Sequence, residues 1–317
     1  MTNKIKTILM GTPEFAENIF SKTCPELLSR GFDIIAVVTA PDKPVGRKQV
    51  LTSSPVKKWA LEANFSLIQP DKIRKPEWVA KIKELAPDLI ILTAFGQIIP
   101  QEILDIPKYK ALNIHPSLLP KYRGASPIQT AILNGDAETG VSLMIMDAEM
   151  DHGDIISNSK FLISNKPTYT ELSKQLSDLG AELLIKTLPD YINGKIVPQE
   201  QDHSKATLCK IIKKEDGKID WNKSAEEIER RIRAFQEWPE SYTIFNNQQL
   251  KIIEIEIINK NTDKCVGKVF INEDKNLCVQ TRSGILILKT LQLEGKKPIL
   301  VKDFLNGHKD FIDSILQ

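Results

Sequence analysis

An amide, an imidazole and a carboxylate are placed so that they could act together: Asn113 and His115 lie two positions apart, and Asp151 follows downstream. The run from Ala111 to His115 alternates like a strand, and Pro116 withdraws a backbone donor and breaks it. Side chains repeat every second residue along a strand, so Asn113 and His115 leave its end on the same side. An amide is neutral at every pH and can donate to a developing oxyanion. An imidazole titrates near neutrality, and a carboxylate can hold the imidazolium and share in moving a proton. That set suits acyl transfer to a nitrogen. Each piece alone has a plainer reading: a satisfied hydrogen-bonding turn for Asn113 and His115, and a solvated acidic loop for the stretch around Asp151.

Other chemistries fit less well. Asp147, Glu149 and Asp151 imitate the first three ligand positions of a calcium loop. Its sixth-position glycine is replaced by His152 and its twelfth-position glutamate by Asn158, so no metal is expected. The Gly11-Thr-Pro-Glu loop lacks the later glycines of the dinucleotide fingerprint, which argues against a nicotinamide or flavin cofactor, and no P-loop is present. Cys24, Cys209, Cys265 and Cys278 are scattered without metal or redox spacing and read as reduced thiols. His203 and His308 stand in no constellation.

The elements that must position the trio are legible in outline. Strands are expected at Lys6–Met10, Asp33–Thr39, Ser66–Ile68, Asp88–Ala94 and Ala111–His115. Helices are expected near Phe15–Arg30, Val56–Ala63 and Pro76–Leu85. Strands apolar on both faces that alternate with helices imply a Rossmann-like, doubly wound parallel sheet, with its ligand crevice at the carboxyl ends of the strands. Two more strands, Val141–Met146 and Asp154–Leu162, and a helix over about Thr170–Asn193 complete a domain of residues 1–192. The polar stretch 193–209 reads as a linker. In 210–317 a capping box at Ser224 and Glu227 opens a helix. Five short strands between Ser241 and Leu291 then suggest a smaller β-barrel.

With 317 residues the chain has room for two cores, and 41% hydrophobic and 26% charged residues are ordinary for a globular protein. A net charge of +2 means that any polyanion must meet a local patch. The N-terminus leads straight into a strand without an apolar signal segment, and no run is long enough to span a bilayer. A cytoplasmic monomer with no membrane partner is expected.

The strings as wholes carry more than their pieces. The stretches Asn113-Ile-His-Pro-Ser-Leu-Leu-Pro120 through Gln129, Asn134 through Ser142, and Met146 through Asp154 resemble the signature of the folate-dependent formyltransferases. The resemblance implies 10-formyltetrahydrofolate as formyl donor and catalytic roles for Asn113, His115 and Asp151. It also implies folate contacts along Ser117, Leu118, Leu119 and Pro120. Phe95, Gly96 and Ile98, after the neighbouring strand, would supply the apolar wall that a pterin needs.

Three features turn the resemblance toward the members that act on initiator methionyl-tRNA, for translation initiation. The loop from Thr39 to Lys48 is long, Pro/Gly-rich and basic. Its Lys43, Arg47 and Lys48 could order against phosphates, and the resemblance implies that they clamp the acceptor end of the tRNA. The domain at 210–317 is absent from the purine-pathway relatives; the similar domain of the tRNA-acting members is OB-like and binds tRNA. Lastly, the resemblance spans nearly the whole chain, from Gly11-Thr-Pro through Ile232–Pro239 to Asp303-Phe-Leu. A formyltransferase acting on a small amine (glycinamide ribonucleotide or an amino-sugar nucleotide) and a non-catalytic tRNA-binding protein on the same fold stay open at this point.

Overall fold

The structure, a computed structural model, describes residues 4–45 and 49–316. Arg47 and Lys48 lie outside the described residues. Two compact units divide the chain: Met1–Pro127, Glu138–Ile163 and Ser173–Cys209 form the first, and Ile128–Ala137, Ser164–Leu172 and Lys210–Gln317 the second.

The first unit begins with β1 (Ile5–Met10), α1 (Glu14–Ser29) and β2 (Phe32–Val38), followed by a small antiparallel hairpin of β3 (Lys43–Val45) and β4 (Val50–Thr52). Then come α2 (Pro55–Glu62), β5 (Leu67–Ile68), α3 (Pro76–Leu85), β6 (Leu89–Leu92), the short α4 (Gln101–Leu104), β7 (Ala111–His115) and the two-residue β8 (Arg123–Gly124). α5 (Pro127–Asn134) belongs to the second unit from Ile128 on, and the first resumes with β9 (Glu138–Ile145), β10 (Ile155–Leu162), α6 (Tyr169–Ile192) from Ser173 on, and β11 (Leu208–Cys209). Strands join in the order β10-β9-β7-β6-β1-β2-β5. The five from β7 to β5 are parallel, as the doubly apolar strands require: Ile8, Leu9 and Met10 of β1 are completely buried. β9 and β10 instead run antiparallel on the β7 side, and β10 alternates half-buried and exposed residues from Ser157 to Leu162, the pattern of a strand with one face in water.

Strand order reverses between β1 and β6, the switch point at which open α/β sheets bind ligands. Gly11 follows β1 there. A Cβ on it would lie 2.6 Å from the Cβ of Ala16 and 2.9 Å from the carbonyl of Thr93, so the close approach of α1 and the end of β6 requires glycine.

The second unit holds α7 (Ala225–Ala234), the strands β12 (Tyr242–Phe245), β13 (Gln248–Ile258), β14 (Val269–Ile271), β15 (Leu277–Gln280) and β16 (Ile285–Leu293), then β17 (Ile299–Leu300) and α8 (Val301–Gly307). The expected capping box is present: Ser224 Oγ accepts from the amide of Glu227 at 3.2 Å, and the Glu227 carboxylate accepts from the Ser224 amide at 2.9 Å. The strands pair antiparallel in the order β12-β13-β16-β15-β14, and β17 adds to β16. Register shifts in β13 on both sides of Glu254 bend the long strand, so the sheet curls into a half-barrel, the form the OB-like domain takes here. Trp221, Ile228, Phe245, Leu288, Phe304 and Phe311 fill its core. Among the described residues no helix is long and apolar enough to cross a membrane.

Candidate active site

β7 is buried along its whole length, held between β6 and β9, with Leu92 opposite Asn113 on one side and Ser142 opposite His115 on the other. Asn113 and His115 are only 7% and 4% exposed, so their polar atoms need partners from the fold. Asn113 Nδ2 donates to Asp151 Oδ1 at 3.1 Å, while Asn113 Oδ1 has no hydrogen-bond partner among the described residues. His115 Nε2 lies 2.9 Å from the carbonyl of Tyr122; a carbonyl only accepts, so Nε2 carries the proton. In the neutral ring Nδ1 is therefore the basic nitrogen, and it faces Asp151 Oδ2 at 3.6 Å, too long for a hydrogen bond but an ion-pair distance once the ring is protonated. The structure thus brings the three residues together, with Asp151 between the other two.

Asp151 adopts the left-handed conformation (φ +51°) and receives a hydrogen bond on Oδ2 from the amide of Gly124 at 2.8 Å. Gly124 itself sits at φ +112°, and a Cβ there would come within 2.8 Å of the carbonyl of Cys209. Only glycine lets this backbone donor reach the carboxylate.

The segment after His115 is fixed by side chains turned inward. Ser142 Oγ donates to the carbonyl of Ser117 at 2.7 Å and accepts from the amide of Leu119 at 3.0 Å, and Ser117 Oγ donates to the carbonyl of Lys121 at 2.5 Å. Ser117 and Leu119 are buried, whereas Leu118 and Pro120 are half-buried. After β6, Thr93 Oγ1 donates to the carbonyl of Ile114 at 2.9 Å and Thr12 Oγ1 to that of Phe95 at 3.0 Å, tying the three strand ends β1, β6 and β7 together. The ring of Phe95 belongs to the core with Met10, Leu92 and Ile99. Gly96 has φ +80° and Ile98 is 74% exposed, so Ile98 is the apolar side chain that this loop presents outward.

Lys43 is exposed on β3 opposite Thr52. Beside it Lys57 pairs with Asp42 at 2.8 Å and holds that carboxyl below the usual carboxylate range. In the acidic loop Asp147 engages the ring of His152 at 2.7 Å and the amide of Glu149 at 3.0 Å. Among the described residues no group of three or more His, Cys, Asp or Glu side chains is arranged to hold a metal.

Sequence reasoning missed a second layer. Arg123 is 7% exposed and donates to Gln201 Oε1 from Nε (3.1 Å) and Nη2 (2.7 Å), and from Nη2 to His203 Nδ1 at 2.8 Å. The ring of His203 stacks on that of His152 at 4.1 Å, which corrects its reading as a residue outside any constellation. The stretch 193–209 also supplies β11, which pairs parallel with β8, and Thr207, which accepts from the amides of Tyr122 and Arg123. Nothing in a short polar stretch announces such long-range partners.

The family profile "Formyl transferase" matches residues 3–188, and "Formyl transferase, C-terminal domain" matches residues 211–309. The methionyl-tRNA formyltransferase of Caldicellulosiruptor saccharolyticus is 44% identical over 305 residues, covering 95% of this chain and 96% of that protein. That of Clostridium novyi is 40% identical over 316 residues, covering 99% and 100%. WlaRD, a sugar 3N-formyl transferase whose structure was determined in the presence of dTDP and 5-N-formyl-THF, aligns at a TM-score of 0.64 and 26% identity over 92% of this chain and 99% of that one. HypX from Aquifex aeolicus, in complex with tetrahydrofolic acid, aligns at a TM-score of 0.65 and 18% identity over 98% of this chain and 48% of that one, a likeness of fold alone. With both parts of the chain matched and relatives at this identity over nearly its full length, the chain belongs to the formyl transferase family, among the methionyl-tRNA formyltransferases.

Proposed function

We propose that this protein transfers a formyl group from 10-formyltetrahydrofolate to the free amino group of methionyl initiator tRNA, in the cytoplasm, for translation initiation. The observation that carries the chemistry is the trio of buried Asn113 and His115 with half-buried Asp151: Asp151 lies within 3.1 Å of Asn113 and 3.6 Å of His115, with one Asn113 acceptor unsatisfied. The acceptor follows from relatives of this identity that are named for methionyl-tRNA.

The step is an addition and elimination. The amine nitrogen bonds to the formyl carbon, and the carbonyl π pair moves to oxygen. Collapse of the adduct breaks the bond to N10, which leaves with the proton given up by the amine. Asn113 offers its second Nδ2 hydrogen to the oxyanion, and its unsatisfied Oδ1 can accept an N–H of the incoming amine. Asp151 takes the amine proton, and His115, with Nδ1 toward Asp151 and Nε2–H fixed on Tyr122, relays it and becomes an imidazolium beside a carboxylate. The buried, partly unsatisfied amide and the exposed Ile98 suit a ligand that is polar at its reacting end and flat and apolar at the other. Main-chain groups of Ser117, Leu118, Leu119 and Pro120, with Gly96 and Ile98, would hold the folate. Phe95 would support that wall from the core.

In this reading residues 1–192 are the catalytic part, 193–209 connect it onward, and 210–317, with Lys43, Arg47 and Lys48, meet the tRNA; the protein works as a monomer and without a metal. The decisive experiment supplies 10-formyltetrahydrofolate and compares charged initiator tRNA with glycinamide ribonucleotide and an amino-sugar nucleotide. Formylation of the tRNA at a far higher kcat/KM is expected, unchanged by a metal chelator. Preference for either small amine, or no transfer to tRNA, would overturn the proposal.

A further inference from the structure

Gln201 comes from a stretch that looks like a connecting segment, yet it is only 4% exposed. A glutamine amide offers two donor hydrogens and an oxygen with two lone pairs, and here all are used. Its Oε1 accepts from Arg123 Nε and Nη2 at 3.1 and 2.7 Å; its Nε2 donates to the carbonyls of Asp151 and Gly153 at 2.9 and 2.7 Å. Those carbonyls flank His152 on the loop that carries the site's carboxylate. Arg123 immediately precedes Gly124, whose amide holds the other side of that carboxylate. Gln201 therefore joins the loop bearing Asp151 to the strand bearing its backbone donor. From the same segment His203 accepts from Arg123 and stacks on His152, which in turn engages Asp147, so the loop is gripped by side chain as well as by main chain.

Asp151 needs that grip. Its backbone is in the left-handed region, which residues other than glycine adopt uncommonly, Asp less reluctantly than most, so contacts that hold the loop there help keep the carboxylate in place. From Gln201 and Arg123 the structure assigns a function: we infer that Gln201 is a positioning residue, which through its two donors fixes the Asp151 carboxylate between Asn113 and His115. The inference rests on the proton-carrying role of Asp151 given above.

The test uses the full chain with 10-formyltetrahydrofolate and charged initiator tRNA, and variants Gln201→Leu and Gln201→Glu, each alone and with Asp151→Asn. Misplacing a reacting group by a fraction of an ångström to an ångström costs on the order of tenfold to a hundredfold, so Gln201→Leu should lower kcat about tenfold or more while KM for either substrate stays within about threefold. Gln201→Glu keeps an acceptor for the buried Arg123 but has no donor for the two carbonyls. It should fold and lose kcat like the leucine variant, and it carries the test alone if the leucine variant does not fold. In the Asp151→Asn background, single-turnover rates should show no further loss from either change, because the group being positioned is gone. Wild-type kcat in Gln201→Glu, or a loss that multiplies fully with that of Asp151→Asn, would overturn the inference. Near-wild-type turnover in Asp151→Asn alone would instead overturn the catalytic role on which it rests, so the two failures are told apart.

Discussion

At the scale of single residues, the fold holds most polar atoms of the site with its own groups and leaves one buried acceptor, Asn113 Oδ1, without a partner among the described residues. Leaving a buried acceptor such as Asn113 Oδ1 unpaired costs about 1–3 kcal/mol, a cost that a bound donor would relieve. Asn113→Ala, His115→Ala and Asp151→Ala should each lower turnover by roughly 100-fold or more, because each acts on charge that develops only in the transition state. Circular dichroism should show all three folded. The double variants should lose less than the product of the single losses, since the three groups move one proton and stabilise one oxyanion together. Strictly multiplicative losses would mean independent roles and would sink the relay through His115. Asn113 and His115 were legible in the sequence because a two-residue period and a terminating proline are local signals. The contact from Asp151 spans 38 positions and that from Gln201 to Asp151 spans 50, and neither leaves a local trace. The resemblance brought Asp151 into view, and nothing brought Gln201.

At the scale of elements, what the sequence disclosed followed from periodicity and capping. The doubly apolar strands and the helix α3 emerged at nearly the expected bounds, and so did the capping box on α7. That box offers a direct check on stability. The amide of Ser224, with its hydroxyl, holds the Glu227 carboxyl below its usual range. A folded-state pKa depressed below the unfolded value stabilises the fold above the unfolded pKa, and the gain disappears as pH falls through the folded one. Ser224→Ala should cost about 1 kcal/mol at neutral pH. Glu227→Gln should be less stable than the parent at pH 7, and the gap should close on acidification below about pH 4. A gap independent of pH in urea titrations would show that the carboxylate contributes nothing as a charge. Of the elements of two or three residues, β5 and β14 were legible as short apolar runs, but β3, β4, β8 and β11 were not: β8 and β11 are held by each other and by Thr207, and β3 and β4 pair within what reads as an uninterrupted loop. The antiparallel edge formed by β9 and β10 also escaped, because strand direction depends on the path of the chain between strands and not on the strands' own residues.

At the scale of the whole molecule, 43 basic and 41 acidic side chains leave a net charge of only +2, so the long-range field cannot gather a polyanion. If the substrate is a charged tRNA, its phosphates must meet a few cations at close range, and the stretch that follows β2 and holds Lys43, Arg47 and Lys48 is a basic run that could supply them. Lys43 is exposed at its start, as such a role needs. Arg47→Ala should sharply lower kcat/KM for charged tRNA, since a guanidinium's paired phosphate contacts and the positioning they give are both lost. Arg47→Lys should recover only part of it, because an ammonium lacks the planar fork. Binding of tRNA should weaken steeply as salt rises, and the slope of log affinity against log salt should become shallower by about one contact's worth in Arg47→Ala. Folate binding, measured by fluorescence quenching, should be unchanged in both variants. If the Arg47 variants instead kept their tRNA kinetics and lost folate affinity, this stretch would serve the formyl donor. The selection of a tRNA acceptor would then have to be carried by residues 210–317.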